Sequence, residues 1–303
     1  MKANQKIYDC FLFWKEFTAL EIRLNELYEV VDQFVIVEFS QSHTGLPKPF
    51  FLTENLDKFS KFSDKLTVIK VDRKFRNSSP LKIAHKQRRI LDEIINQLNP
   101  DPNDLILTSD SDEIVKSSVL KELKSQNLQY CNVAFELSLF HNYINNYMGE
   151  WLRPRLKTFK DFRGFSASYR DIFILQNFEL RRFKFIPILR INPFFSANKF
   201  DSKIGMWSRS SKRDLTIIKN AGWHFTKIYS AEDHFEHAKN SPHFYEQTEI
   251  IDMKSIKNRI LDNQTSYGRI KNGKIVKIDT TFPRYIQNNE VKFSNYINKG
   301  DNL

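Results

Sequence analysis

Cysteine is nearly absent from this chain of 303 residues, which holds Cys10 and Cys131 and no others. Both lie inside apolar runs, where buried reduced thiols are the expectation and one disulfide the alternative. Glycine is scarce as well, at 8 residues. The phosphate-cradling patterns G-x-x-x-x-G-K-[ST] and G-x-G-x-x-G are missing, and so is G-x-S-x-G, which removes three common routes to nucleotide binding and serine hydrolysis. No window approaches eighteen consecutive apolar residues, so no helical membrane span is expected. Met1 leads straight into a strand-like segment without a signal-peptide cleavage pattern, and a cytoplasmic protein is the expectation. Blocks of like charge are missing too. The net charge of +11 comes from 47 Lys and Arg against 36 Asp and Glu, scattered rather than clustered. That balance favours anionic partners without marking a nucleic-acid surface.

What is present is a folded composition, 41% hydrophobic and 27% charged, with strands and helices alternating through the first third. Residues 6–14, 30–38, 66–71 and 104–109 read as buried strands. Residues 16–28 carry Phe17, Leu20, Leu24, Leu27 and Tyr28 at helical spacing. Residues 80–98 open on Pro80 and place Ile83, Ile90, Leu91, Ile94, Ile95 and Leu98 on one face, with Asn99-Pro100 as the stop. This order predicts an α/β fold, a mostly parallel, Rossmann-like sheet flanked by helices. Residues 130–140, 183–191 and 221–229 are further strand candidates. Residues 231–239, 243–261 and 283–297 read as helices. One domain over 1–303 is expected, with an elaborated C-terminal half.

In such sheets ligands sit beyond the carboxyl ends of the strands. The fourth strand, Leu105-Ile106-Leu107, ends there in Asp110, Asp112 and Glu113. In an extended chain Asp110 and Asp112 point the same way, and two hard oxygen ligands suit Mn²⁺ or Mg²⁺. The alternative is a helix start with Glu113 in its first turn. Glu38 closes the second strand, where an acid can meet a ribose or base, or be an ordinary solvated strand end. Arg88 and Arg89 lie on the long helix, within reach of a diphosphate or simply on the surface. His224 sits in a late apolar strand as a core histidine or a further metal ligand. Asn142, Tyr143, Asn145, Asn146, Tyr147 and Trp151 offer amides and planar faces that suit a sugar ring, or form a partly buried cluster. His234, Glu236, His237 and His243 form a patch whose spacing is not H-E-x-x-H, and a metal-dependent hydrolase is the corresponding rival reading.

Several separated motifs, in order, resemble glycosyltransferase family 17, the β-1,4-N-acetylglucosaminyltransferase family that includes the enzyme adding bisecting GlcNAc to N-glycans. They are Lys6-Ile7-Tyr8-Asp9-Cys10-Phe11-Leu12-Phe13, Leu20-Glu21-Ile22-Arg23-Leu24, Val35-Ile36-Val37-Glu38, Thr44-Gly45-Leu46-Pro47, Gln87-Arg88, Asp110-Ser111-Asp112-Glu113-Ile114, Ala221-Gly222-Trp223-His224 and Phe282-Pro283-Arg284-Tyr285-Ile286. The match is weakest across residues 151–220. The chain also departs from the family in lacking the N-terminal anchor of its Golgi members, in Arg89 after Gln87-Arg88, and in Val115 where Pro follows Glu-Ile.

The resemblance implies a GT-A-like fold, with residues 1–115 as the nucleotide-sugar half and 116–303 as the acceptor half. It implies metal-dependent, inverting transfer of a sugar, GlcNAc from UDP-GlcNAc, to a glycan hydroxyl. Asp110 and Asp112 would hold Mn²⁺ or Mg²⁺, with His224 completing the shell. Phe11, Phe13 and Glu38 would hold the nucleoside, and Arg88 the diphosphate. Glu113, Glu136 and Glu150 are the candidates for general base. Peripheral association with the inner membrane face is a further expectation, nucleic acid is not an expected partner, and a non-catalytic glycan-binding module is the remaining alternative.

Overall fold

The computed structural model describes residues 5–164, 215–241, 252–266 and 271–299. The expected strand at residues 183–191, and the 243–251 part of an expected helix, lie outside them.

The four N-terminal strands are β1 (Ile7–Leu12), β2 (Gln33–Phe39), β3 (Leu66–Val71) and β4 (Leu105–Thr108). They pair in parallel in the order β3-β2-β1-β4. Alternation along each strand sorts the side chains onto two faces. Ile7, Phe11, Phe34, Ile36, Leu105 and Leu107 pack with Leu20, Leu24 and Leu27 of α1 (Phe17–Leu27). Cys10, Val35, Val37 and Ile106 pack on the other face with Ile83, Leu91, Ile94 and Ile95 of α2 (Pro80–Leu98). Pro80 starts α2, and Asn99, left-handed at φ 48°, ends it. Both cysteines are buried free thiols.

The second half extends the same sheet with a change of direction. After β5 (Glu113–Val115) and α3 (Ser117–Ser125), β6 (Asn132–His141) and β7 (Asn146–Thr158) form a long hairpin. β7 runs antiparallel to β4, and β6 antiparallel to β7. Three short strands follow: β8 (Thr216–Ile218), β9 (Gly222–Thr226) and β10 (Lys274–Ile275). β9 lies parallel to β6 and antiparallel to β5, so the path reads β3-β2-β1-β4-β7-β6-β9-β5. Of the nine strand pairings among the described residues, five are parallel. The sheet is therefore α/β and mixed.

Helices α4 (Ala231–Asn240), α5 (Met253–Leu261) and the short α6 (Arg284–Gln287) complete the described chain. The helix expected over 283–297 is broken: α6 lasts one turn, and a 3-10 turn at Ser294–Tyr296 follows. Ile286 and Phe293 instead join a third core with Ile114, Phe140, Trp223 and Phe225. Within the amide-rich segment, Asn142, Asn145 and Asn146 are buried. Buried Asn142 donates to the Gln264 carbonyl (2.6 Å), and Asn145 donates to the carbonyls of Val276 and Asn298. These amides tie the C-terminal segment to the hairpin. No described helix is long and apolar enough to cross a membrane.

Candidate active site

β1 sends its connection through α1 to β2 on one side, while its other neighbour, β4, arrives after β3. The carboxyl ends of β1 and β4 therefore flank the point where strand order reverses, and in open α/β sheets the ligand crevice lies at such a point. The loop leaving β4 carries Ser109, Asp110, Ser111 and Asp112 across it.

A wholly buried arginine holds that loop from below. Arg23 lies on the apolar stripe of α1, and Asp9 lies on the β1 face that α1 covers. Arg23 Nε and Nη2 donate to the two Asp9 oxygens at 2.8 and 2.5 Å, with neither side chain exposed. The rest of the guanidinium serves the loop: Nη2 reaches Ser109 Oγ (2.7 Å), and Nη1 reaches the carbonyls of Asp110 (2.9 Å) and Glu113 (2.9 Å). Its plane lies over the Phe11 ring, 4.1 Å from the centroid. A fork of fixed donors suits this task in a way a lysine would not.

Above this floor the carboxylates separate. Asp110 is 37% exposed on its side chain and accepts from Arg88 Nη2 of α2 at 3.2 Å. Burial in the crevice pushes its carboxyl up, but the Arg88 and Arg153 guanidinium groups together outweigh that and hold it below the ordinary value. Asp112 Oδ2 lies 3.3 Å from His224 Nε2. Burial lowers the His224 imidazole, yet Asp112, Glu113 and Asp110 overcome it and the net shift is upward.

Glu113 stands directly opposite His224 in the β5–β9 pairing, in a strand rather than a helix. It is 1% exposed. Its carboxylate accepts from the Asp110 N–H (3.0 Å) and the Trp151 indole N–H (2.6 Å). Burial first, and the Asp110 charge second, raise it to about 7.

β9 reaches β5 closely because of Gly222. A Cβ there would lie 2.0 Å from the Ile114 carbonyl oxygen. Glycine thus lets the backbones meet and sets His224 beside Asp112. Trp151 of β7 covers the imidazole, ring centroids 4.9 Å apart, and Arg153 lies over the Trp151 ring at 4.8 Å.

The structure therefore brings Asp110, Asp112, Glu113, Arg88 and His224 together. It does not bring Phe11, Phe13 or Glu38 to the crevice surface. Phe11 and Phe13 are core side chains, 0% and 3% exposed. Glu38 is fully buried and accepts from the N–H groups of Leu52 and Thr53 and from the Thr53 hydroxyl. It pins the segment after β2, and the nucleoside role expected for these three does not fit their burial. Of the proposed bases, Glu150 is exposed and accepts from Tyr147, and both Glu150 and Glu136 act on that phenol. Glu136 pairs with Leu152, on the opposite face of the hairpin from Trp151.

Sequence reasoning missed Arg23, Asp9 and Arg153 as site residues. A basic residue on an apolar helix stripe and an acid inside an apolar strand were the available signal for the first two. His234 and His237 lie on α4, while His243 is outside the described residues. Among the described residues no group of three or more His, Cys, Asp or Glu is arranged to hold a metal by itself.

Carboxylates, guanidinium groups and a buried imidazole are thus gathered at the switch point of an α/β sheet. The chain belongs to glycosyltransferase family 17, whose family model matches residues 1–160. It is a glycosyltransferase, a class that takes a donor sugar and an acceptor. The matched stretch holds Arg23, Arg88, Asp110, Asp112, Glu113, Trp151 and Arg153, and ends before His224. No curated protein matches the chain. Among solved structures, a 4-diphosphocytidyl-2C-methyl-D-erythritol synthase is similar at 14% identity and TM-score 0.35, over 55% of this chain and 85% of that one. So loose a likeness carries no argument about function.

Proposed function

We propose that the protein is a metal-dependent, inverting glycosyltransferase that moves GlcNAc from UDP-GlcNAc to a hydroxyl of a glycan. The observation that carries this reading is the Asp110–Asp112 loop, locked at the sheet's switch point by Arg23 and faced by Arg88, Arg153 and His224.

The donor set fits a divalent cation. Asp112 Oδ2 and His224 Nε2, 3.3 Å apart, have the separation of neighbouring ligands on one ion, and Asp110 is open to the same crevice. Mg²⁺ is commonly held by one or two carboxylates and completed by substrate phosphates, so a third protein ligand is not required. When bound, the ion would supply a Lewis acid that offsets charge on the departing nucleotide.

The chain's own residues do the rest. Arg88 and Arg153 place guanidinium groups beside Asp110, where a diphosphate would lie. Trp151 and Glu113 keep His224 and the Asp110 backbone in place. Inversion follows from a single displacement: the acceptor oxygen bonds to the anomeric carbon, the carbon–phosphate oxygen bond breaks, and the acceptor proton passes to a base. Glu113, raised to about 7, has the value of such a base without the access. Its buried oxygens are engaged, so we assign it to positioning Asp110 and Trp151.

The test is a donor screen with UDP- and GDP-sugars plus Mn²⁺, following nucleotide release and the anomeric configuration of the product. UDP-GlcNAc should be turned over, and Asp112→Asn should reduce turnover by roughly 10²-fold or more while the variant stays folded. Failure to turn over any donor, or full activity in Asp112→Asn, removes the proposal.

A further inference from the structure

Residues 70–89 hold eight Lys and Arg against one acid, Asp72, a net +7 of the chain's +11. Surfaces of ordinary composition intersperse the two signs. Along the sequence the run is interrupted by Phe75, Ile83 and Gln87, but these side chains are buried, and folding gathers the cations outside them.

The strands β1 to β4 are parallel, so the loop leaving β3 emerges at the edge of the sheet that carries Asp110 and Asp112. That loop exposes Arg73, Lys74 and Arg76. The first half of α2 exposes Lys82, Lys86 and Arg89 along one helical stripe, which ends at Glu93. Lys86 Nζ donates to Ser78 Oγ (2.8 Å) and so joins the loop to the stripe. None of these six cations is ion-paired among the described residues. Asp72 accepts from Ser40 Oγ at 2.7 Å.

An apolar tip stands beside the cations. The turn after β2 closes with a bridge between Gln41 and Pro47, and Leu46 within it is 52% exposed. The Ser42 N–H donates to the Leu46 carbonyl (2.8 Å), and Gln41 Nε2 to the Gly45 carbonyl (2.6 Å), so the turn is braced from within. Gln41 Oε1 accepts from the Phe75 N–H (2.7 Å), and the Gln41 carbonyl accepts from Gln87 Nε2 (2.9 Å). The turn is thereby fastened to the cationic loop and to α2 alike.

We propose that this face docks on an anionic phospholipid bilayer, with the six cations against the headgroups and Leu46 in the interfacial layer. Each Lys or Arg near anionic lipid strengthens binding roughly fivefold, and a buried apolar side chain adds to that attraction. A soluble polyanion would use the cations and leave Leu46 in water, so the exposed leucine favours the bilayer. Arg88 lies on the same helix and meets Asp110, so docking brings the edge that carries the site toward the membrane. The docking is independent of which donor the site takes.

The experiment is co-sedimentation of the full chain with vesicles of phosphatidylcholine, alone or with about a third phosphatidylserine. Wild type should bind the phosphatidylserine vesicles roughly tenfold or more tightly than the neutral ones, and added salt should release it. Two variants, Arg73→Glu with Lys74→Glu and Arg76→Glu, and separately Lys82→Glu with Lys86→Glu, should each lose roughly tenfold or more of that binding. Both change exposed side chains and should unfold close to the wild-type temperature; if one fails to fold, the other decides. Leu46→Ser should weaken vesicle binding a few-fold and leave heparin binding unchanged. Equal binding to both kinds of vesicle, or none, overturns the proposal, and so does undiminished binding by a folded Glu variant. Heparin binding without vesicle binding, or vesicle binding indifferent to Leu46→Ser, would make the face a site for a soluble polyanion instead.

Discussion

Arg23 with Asp9 and Arg88 with Asp110 are both guanidinium–carboxylate pairs, and both touch the loop that carries Asp110 and Asp112, yet their surroundings differ. The first is fully buried, bidentate, and spends its remaining donors on Ser109 and the loop carbonyls. The second makes a 3.2 Å contact at a crevice where Asp110 is 37% exposed. A buried pair is costly to break because it strands a charge, whereas a solvent-reached pair contributes little to stability and can exchange partners. The loop thus has a structural side at Arg23 and a working side at Arg88.

The largest effect should come from breaking the buried pair. Arg23→Met leaves Asp9 uncompensated and should destabilise the fold by roughly 3–5 kcal/mol, measured by urea denaturation. Arg23→Met with Asp9→Leu should recover much of that stability but not activity, because the loop carbonyls still lose their donor. If the double variant is fully active, Arg23 does not position the loop.

An intermediate effect should follow at Glu113, which lies between the two sides. Its folded value, about 7, lies above the ordinary carboxylate value. Ionisation is thus easier in the unfolded chain, and the stability tied to this group is present at low pH and lost as pH rises toward about 7. His224, also raised, works in the same direction. Thermal unfolding of wild type should therefore fall relative to Glu113→Gln between about pH 5 and 7.5, by on the order of a few kcal/mol at most. Parallel pH curves would mean that Glu113 is not perturbed.

The smallest effect on stability belongs to the working side. Arg88→Ala should shift the unfolding free energy by less than about 1 kcal/mol, while weakening donor binding measurably in the calorimeter. A large loss of stability would place Arg88 with Arg23, and the distinction would collapse.

Much of the parallel half was legible in the sequence. The strand expected at 66–71 and the helix at 80–98 coincide with β3 and α2, because short apolar runs and 3.6-residue periodicity are local properties. Asp110 and Asp112 were legible for the same reason: a charged cluster at the end of an apolar strand stands out. Glu38 misled because a terminal acid looks alike whether it meets a ligand or, as here, the N–H groups of Leu52 and Thr53. The Asn-rich segment left two readings open, since amides that bind sugar and amides that bind a distant backbone carbonyl, as Asn142 and Asn145 do, have one composition.

The sequence by itself determined the strand and helix order of the first half and the carboxylate loop, since each follows from side-chain type and spacing along a short stretch. Only the tertiary structure decided that Arg23 reaches Asp9, Ser109 and the carbonyls of Asp110 and Glu113, that Gly222 lets β9 close on β5, and that Trp151, Arg153 and His224 gather around the carboxylates. Those contacts join residues from a few to well over a hundred positions apart, through strand registers and helix–sheet packing. Local pattern carries no information about which distant surface a side chain will meet; packing against the whole sheet supplies it.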